Sequence, residues 1–477
     1  MPRRQLRVEP ASVEVLAEHV RAIESELAVR TTFADDVVAQ ARRAAASVVL
    51  PDRDCTDLPF VTIDPPGARD LDQATHLERR DEGFRVHYAI ADVAAFVSPG
   101  DAVDVEAHLR GQTLYAPTHR VPLHPPELSE AAASLLPEEV RPALVWQIDL
   151  DETGDGTRVE VFRARVRSRA QHDYDGVQRA VDDGTADEVF VLLREIGQLR
   201  EQHERERGGV SLPLPDQEIE ANDDGWTLRY REALPVEGWN EQISLLTGMA
   251  AAHLMIYAQV GIVRTLPPAD SRAIAKLHRA ARALGVPWPP DLDYPDFVRT
   301  LDPHVPRHAA MLNECTSLLR GAGYLAFDGA IPAEPVHAAI ASEYAHATAP
   351  LRRLADRYVG ETCVAICAGQ SVPRWVRDGL PALPGLMAAS ERVVRAFERE
   401  VVDLVEAGVL SGSTGADFDG VIIEAESDDP GSGTVMITDP AIEASISAAG
   451  SLPVGDAVRV RLEKADIGTR TVTFSLV

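Results

Sequence analysis

The chain has 477 residues, of which 45% are apolar, enough for two or three domains with sizeable cores. Its formal net charge of −28 excludes broad, non-specific nucleic-acid binding through a basic surface, so any path for a polyanion has to be a local, arginine-lined channel. No run of 18 apolar residues is present, which excludes a membrane-spanning helix. Cys55, Cys315, Cys363 and Cys367, with no signal-peptide pattern after Met1-Pro2-Arg3-Arg4, fit a reducing cytoplasm.

Residues 1–50 read as helical. Val13, Leu16, Val20, Ile23 and Leu27 recur at spacings of three and four, and Thr32 with Asp35 resembles a capping box before a second helix. This region lacks a basic recognition face, so packing against the main domain is the expected role. Phe60-Val61-Thr62-Ile63 reads as a short buried strand. It leads into Asp64-Pro65-Pro66-Gly67-Ala68-Arg69-Asp70-Leu71-Asp72-Gln73. The two prolines exclude a helix or central strand there, so three carboxylates sit on a stiff loop. Such a loop suits a hard divalent cation such as Mg²⁺; on the residues alone, a solvated acidic turn is the alternative.

Residues 84–97 read as a strand, 104–110 as a short helix and 113–115 as a short strand. A proline-rich extended loop follows, then a hairpin of 145–150 with 158–166. Helices are expected over 186–206, 237–259, 272–284, 308–319, 337–343, 351–368 and 386–409. Strands first and helices later indicate an α+β fold. The one-turn spacing of Cys363 and Cys367 indicates core packing, with no companion ligands for zinc. After the linker-like residues 411–415, strands at 419–424, 434–438, 457–462 and 471–476 suit a small five-stranded barrel of the OB type. Base-stacking aromatics are absent there and Glu424, Glu426, Asp428 and Asp429 crowd one loop, so an RNA-binding module and a structural cap both stay open.

The acidic loop and an ordered series after it resemble the ribonuclease II/ribonuclease R (RNB) family of exoribonucleases. The series runs Ala89-Ile90-Ala91-Asp92-Val93, Phe96-Val97, Pro99-Gly100, Arg110-Gly111, Tyr115-Ala116-Pro117, Arg120-Val121-Pro122-Leu123, Leu128-Ser129-Glu130 and Ser134-Leu135. It ends in Tyr344-Ala345-His346-Ala347-Thr348-Ala349-Pro350-Leu351-Arg352-Arg353, and the resemblance extends to the helix at 391–405. It covers roughly residues 55–410, with the tail as an S1-like domain. The resemblance implies helical residues 1–50, an RNB catalytic domain at 51–410 (a mixed sheet with a helical half) and an S1-like OB-fold at 416–477.

It also implies processive, Mg²⁺-dependent 3′-to-5′ hydrolysis of single-stranded RNA to nucleoside 5′-monophosphates, with Mn²⁺ as a substitute metal, in a cytoplasmic monomer. Asp64, Asp70 and Asp72 fall on the family's metal-binding positions, with Asp72 the most sensitive. Arg352 matches the arginine that neutralises charge on the transferring phosphate, and Arg352 and Arg353 are both expected to bind RNA. Tyr115 and Tyr174 match base-stacking aromatics, and Glu241 a position near the terminal nucleotide. On the residues alone, the tyrosines are half-buried packing residues, Arg352 a surface ion pair, Glu241 a first-turn helix charge and Asp92 a buried turn residue.

Three departures stand out. Gln73 occupies the place of a fourth aspartate, so an altered metal site is expected, strengthened by Gln73→Asp. Leu212 replaces an aromatic clamp and Leu354 a tyrosine. About 50 helical residues stand where cold-shock barrels are usual, which implies weaker RNA capture. Two other functions are compatible with parts of the sequence: a catalytically silent RNA-binding or scaffold protein, and a phosphatase using Asp70-Leu71-Asp72, the latter disfavoured because Pro65, Pro66, Gly67 and Arg69 break the strand such a motif needs.

Overall fold

The computed structural model describes residues 11–222 and 225–477. Met1 to Arg4 and the side chains of Val13 and Leu16 lie outside the described residues. Two closed five-stranded barrels and an intervening helical half make up the fold. In the first barrel, β1 (Phe60–Ile63), β2 (Gln73–Arg80) and β3 (Gly83–Ala91) run antiparallel into Val140–Leu150 and Gly156–His172. The last strand closes the ring by pairing in parallel with β1, Ile63 opposite His172. The sheet is therefore mixed, as expected, but closed, so that only its rims remain open.

Alternation along β3 splits its side chains between two cores. Tyr88 and Ile90 join Trp146 and the helical half, while Ala89 and Ala91 join Phe60, Leu71 and the N-terminal helix Asp35–Ser47. The long apolar helix Pro235–Ala258 lies in the first core through Trp239, Ile243 and Leu246, beside Leu354–Cys367 with Cys363 fully buried. The helix Ala11–Glu26 packs Val20 and Ile23 on Phe397, Val401 and Leu404 of Leu383–Val409, so residues before 50 do pack on the main body.

Several expectations need correction. Residues 337–343 are no helix: Val336–His337 and Ser342–Glu343 pair as a tiny antiparallel ladder, with Ala341 at φ 53° in the turn. Seven residues cannot nucleate a helix unaided, and edge bonds from Leu266 to this segment hold it extended. The helix expected from 351 starts at Leu354, since Arg352 lies in a turn closed on the Ala349 carbonyl and Arg353 is extended at the N-cap. The second N-terminal helix is capped by Ala34 with no side-chain bond, so no capping box forms at Thr32. The strand expected over 84–97 ends at Ala91, where buried Asp92 pairs with Arg163 at 2.8 Å. Strands β2, Val260–Thr265, Gly323–Asp328 and Ile442–Ser447 had no counterpart in the expected elements.

The C-terminal barrel shares a core with the end of Leu383–Val409. There Glu406 is 3% exposed, accepts bonds from Gln217 Nε2 (2.7 Å) and the Glu443 amide (2.9 Å), and has its pKa pushed up to about 8 by burial. The folded pKa lies above the unfolded one, so this carboxyl's contribution is intact below about 4.5 and is lost as pH rises to about 8. Glu406→Gln keeps the acceptor without the charge. Its Tm should match the parent at pH 5 and exceed it by about 3 °C or more at pH 8.5 in thermal denaturation.

Candidate active site

The acidic loop joins β1 to β2, and the prolines are only part of what stiffens it. Asp64 N–H donates to His172 O (3.0 Å) and Gln171 Nε2 to Ala68 O (2.9 Å), fixing its start to the barrel wall. Ser134 then clamps the loop on both sides of Asp70. Its Oγ donates to Arg69 O (2.6 Å) and accepts from Leu71 N–H (2.9 Å), while Leu135 N–H reaches Leu71 O at 3.0 Å. That clamp gives the Ser134-Leu135 pair of the sequence its physical reason.

The segment from Thr348 to Arg353 meets this loop from far along the chain. Leu351 N–H donates to Asp72 Oδ1 at 2.8 Å, and Arg352 Nε lies 3.4 Å from Asp72 Oδ2. Asp356, in the first turn of the next helix, accepts from Ala349 N–H (2.7 Å) and binds Arg353 in a two-pronged pair of 3.0 and 2.8 Å. Thr113 N–H holds the Arg352 carbonyl at 3.0 Å. Upstream, Ala345 N–H bonds Gly248 O (3.0 Å); a Cβ on Gly248 would run into the Tyr344 ring and the Ala345 oxygen, so only glycine lets the long helix approach so closely.

The two arginines therefore diverge. Arg352 has 44% of its side chain exposed, with most of its guanidinium N–H fork open, whereas Arg353 is committed to Asp356. Asp72, 6% exposed at its side chain, is pushed up to about 8, first by burial and against the pull of Arg352 and the Leu351 amide. Asp64 is pushed up to about 6 by burial, with the Asp70 charge adding to it and Arg352 opposing. Its Oδ2 is buried without a hydrogen-bond partner. Asp70 is held by Arg120 and by the Tyr115 hydroxyl at 3.0 Å. Burial and the Asp70 charge raise the Tyr115 phenol, and burial and the Asp64 charge that of Tyr174, which accepts from Asn240 Nδ2 at 3.2 Å.

Asp64, Asp70, Asp72, Arg352, Tyr115 and Tyr174 thus lie close enough to influence one another electrostatically. Tyr115 is 48% exposed, so part of its ring faces solvent beside Asp70. Glu241 follows Asn240 on the long helix, and burial, with the Glu204 charge adding to it, pushes its carboxyl up. Leu212 packs beside the Leu277 and Phe297 cluster and offers no stacking face. Arg120, which holds Asp70, and Tyr88, which bonds Gln73, also belong to this cluster. Arg120 stood in the Arg120-to-Leu123 motif, while Tyr88 had no signal beyond its place on an apolar strand.

Among the described residues, no three His, Cys, Asp or Glu side chains converge as a ready-made metal cage. The unsatisfied Asp64 Oδ2 and the buried Asp72 carboxyl nevertheless fit a hard cation of the kind that uses one or two carboxylates and completes its shell with water and phosphate. Asp70 fits less well while Arg120 holds it.

Residues 39–367 match the RNB domain model, and residues 416–477 match that of the RNase II-type exonuclease C-terminal S1 domain. Exoribonuclease 2 of Vibrio vulnificus is 32% identical over 182 residues, 36% of this chain and 27% of its own. Ribonuclease R of Escherichia coli is 25% identical over 472 residues, 89% of this chain and 57% of its own. The chain therefore spans less than two thirds of either relative. Among solved structures, Mycoplasma genitalium RNase R in complex with ribose-methylated single-stranded RNA superposes with a TM-score of 0.85 at 19% identity, covering 97% of this chain and 78% of that one. Yeast Ssd1, described as a pseudonuclease, reaches 0.67 at 15% identity, covering 89% and 53%.

Proposed function

This chain belongs to the RNB family, and from that premise we propose that it is a Mg²⁺-dependent exoribonuclease that hydrolyses single-stranded RNA from the 3′ end to nucleoside 5′-monophosphates. The observation that carries this is the meeting of Asp72 with Leu351 and Arg352 across 279 residues of chain: a buried carboxylate faces a guanidinium that is free to bind phosphate. Asp64 and Asp72 would hold the metal, with Asp70 as a further donor, and Mn²⁺ would substitute. The chemistry such an ion supplies is polarisation of the phosphoryl oxygens and a more acidic bound water. Arg352 contributes fixed positive charge where the phosphate becomes more negative, and its planar fork matches two phosphate oxygens.

Tyr115 and Tyr174 would serve as stacking surfaces for bases near the 3′ end. Asp70 orients Tyr115 through the hydroxyl bond. Glu241, next to Asn240 near the head of the long helix, would meet the terminal nucleotide. Arg353 serves the RNA by holding the loop under Arg352 rather than by contact. The helical residues 1–50, the catalytic unit 51–410 and the barrel 416–477 are the working domains of a cytoplasmic monomer. The barrel's acidic loop disfavours it as the main RNA grip.

The test is a comparison of one single-stranded RNA labelled at its 3′ or its 5′ end. The proposal expects the 3′ label to appear at once as mononucleotide and the 5′ label to remain on shortening chains. Simultaneous release of both labels, or internal fragments, would count against it. A silent RNA-binding protein is the second reading, favoured by Gln73 and by the pairing of Asp70 with Arg120. It expects bound RNA and no loss of either label in Mg²⁺ or Mn²⁺.

A further inference from the structure

Gln73, the first residue of β2, stands one position after Asp72, yet both ends of its amide are engaged inside the protein. Nε2 donates to the Thr348 carbonyl at 2.8 Å, and Oε1 accepts from the Tyr88 hydroxyl. That hydroxyl also meets Ser244 Oγ, on the long helix, at 2.9 Å. Chemistry fixes the orientation. A carbonyl can only accept, so the amide nitrogen must face Thr348, and the amide oxygen then takes the tyrosine proton while Ser244 donates to the tyrosine oxygen. Tyr88 is 1% exposed and lies diagonally across the β2–β3 ladder, within the reach of an aromatic side chain.

One uncharged chain therefore links β2, β3, the long helix and the Thr348 carbonyl, four residues before Arg352. Resting on the function proposed above, we propose that Gln73 is a positioning residue: it sets Arg352 against Asp72 by tying Thr348 to the barrel through this bridge, and it is not a metal ligand. An aspartate there is one methylene shorter and has no proton to offer Thr348 O. A glutamate has the length but still lacks the donor, and either one adds charge beside buried Asp72. Glutamine alone among these satisfies the Thr348 oxygen and the Tyr88 proton together. This replaces the expectation that Gln73→Asp would strengthen metal binding.

The experiment combines kinetics of the full chain on single-stranded poly(A) with hydrogen exchange. Gln73→Glu and Gln73→Asp are expected to lower kcat about 10-fold at saturating Mg²⁺, with KM for RNA held within about twofold. The Mg²⁺ concentration giving half-maximal rate should not fall. Tyr88→Phe, the milder variant, should lower kcat by about threefold. In an Arg352→Lys background the same changes should alter kcat by less than about twofold, because residues acting through one another are not additive. Exchange of backbone amides in residues 345–354 should quicken in both Gln73→Glu and Tyr88→Phe. A lower Mg²⁺ requirement with kcat kept in Gln73→Asp, full additivity with Arg352→Lys, or unchanged exchange in 345–354 would overturn the proposal. Should the parent chain leave poly(A) intact, the exoribonuclease reading fails, and the exchange measurement still decides the bridge.

Discussion

Asp72→Asn is expected to yield a folded protein that binds RNA and releases no mononucleotide, with kcat down by at least about 10³-fold. The asparagine oxygen can still accept the Leu351 amide that now reaches Asp72 Oδ1 at 2.8 Å, so the loop should keep its place. What is lost is the negative charge facing Arg352 and available to a cation. The measurement is single-turnover release of AMP from poly(A), paired with RNA affinity by anisotropy and with Tm. Affinity within about threefold and an unchanged Tm would separate chemistry from folding. Turnover within about tenfold of the parent would remove Asp72 from the chemistry altogether.

Arg352→Lys should lower kcat by about 10²–10³-fold while KM for RNA moves by less than about threefold. Lysine keeps the charge and loses the planar fork, so a large effect would show that two-point contact with the phosphate, not charge alone, carries the role. Only one edge of the guanidinium is near Asp72, and 44% of the side chain is exposed, which leaves N–H groups for a substrate. Arg353 is the internal control. Its guanidinium is spent on Asp356, so Arg353→Lys should act through stability, lowering Tm by about 2–4 °C per kcal/mol lost at that buried pair, with a smaller kcat change than Arg352→Lys.

Much of this site could be read from the sequence because its parts are local. The acidic loop is nine contiguous positions whose prolines announce a turn, and the arginine pair lies in one motif. The N-terminal helices and the barrel at the C-terminus follow from periodicity of three to four and of two. The closed first barrel was less visible. Its β2 strand is Gln73-Ala74-Thr75-His76-Leu77-Glu78-Arg79-Arg80, too polar to announce itself, and it becomes a strand because β1 and β3 flank it. The segment 337–343 has a helical pattern that edge pairing overrides.

On the residues alone, without the resemblance that singles out Arg352, the divergence of Arg352 and Arg353 was hidden for a different reason. Two adjacent arginines are equivalent on paper, and the distinction comes from Asp356, three residues on, and from Asp72, 280 residues earlier, each capturing one of them. Gln73 shows the same limit. Alignment with a family pattern marks it as a missing carboxylate, while its partners Thr348, Tyr88 and Ser244 are distant in sequence and turn the amide into a tie. The hold of Arg120 on Asp70 is likewise a tertiary fact.

The most direct test of the account is a time course on 5′-labelled poly(A) with purified parent chain and Asp72→Asn, each with Mg²⁺ and with a chelator. The parent with Mg²⁺ should shorten the labelled chains, and the other three reactions should leave the RNA whole. Full-length RNA persisting with the parent in both Mg²⁺ and Mn²⁺, or shortening by Asp72→Asn at the parent's rate, would contradict it.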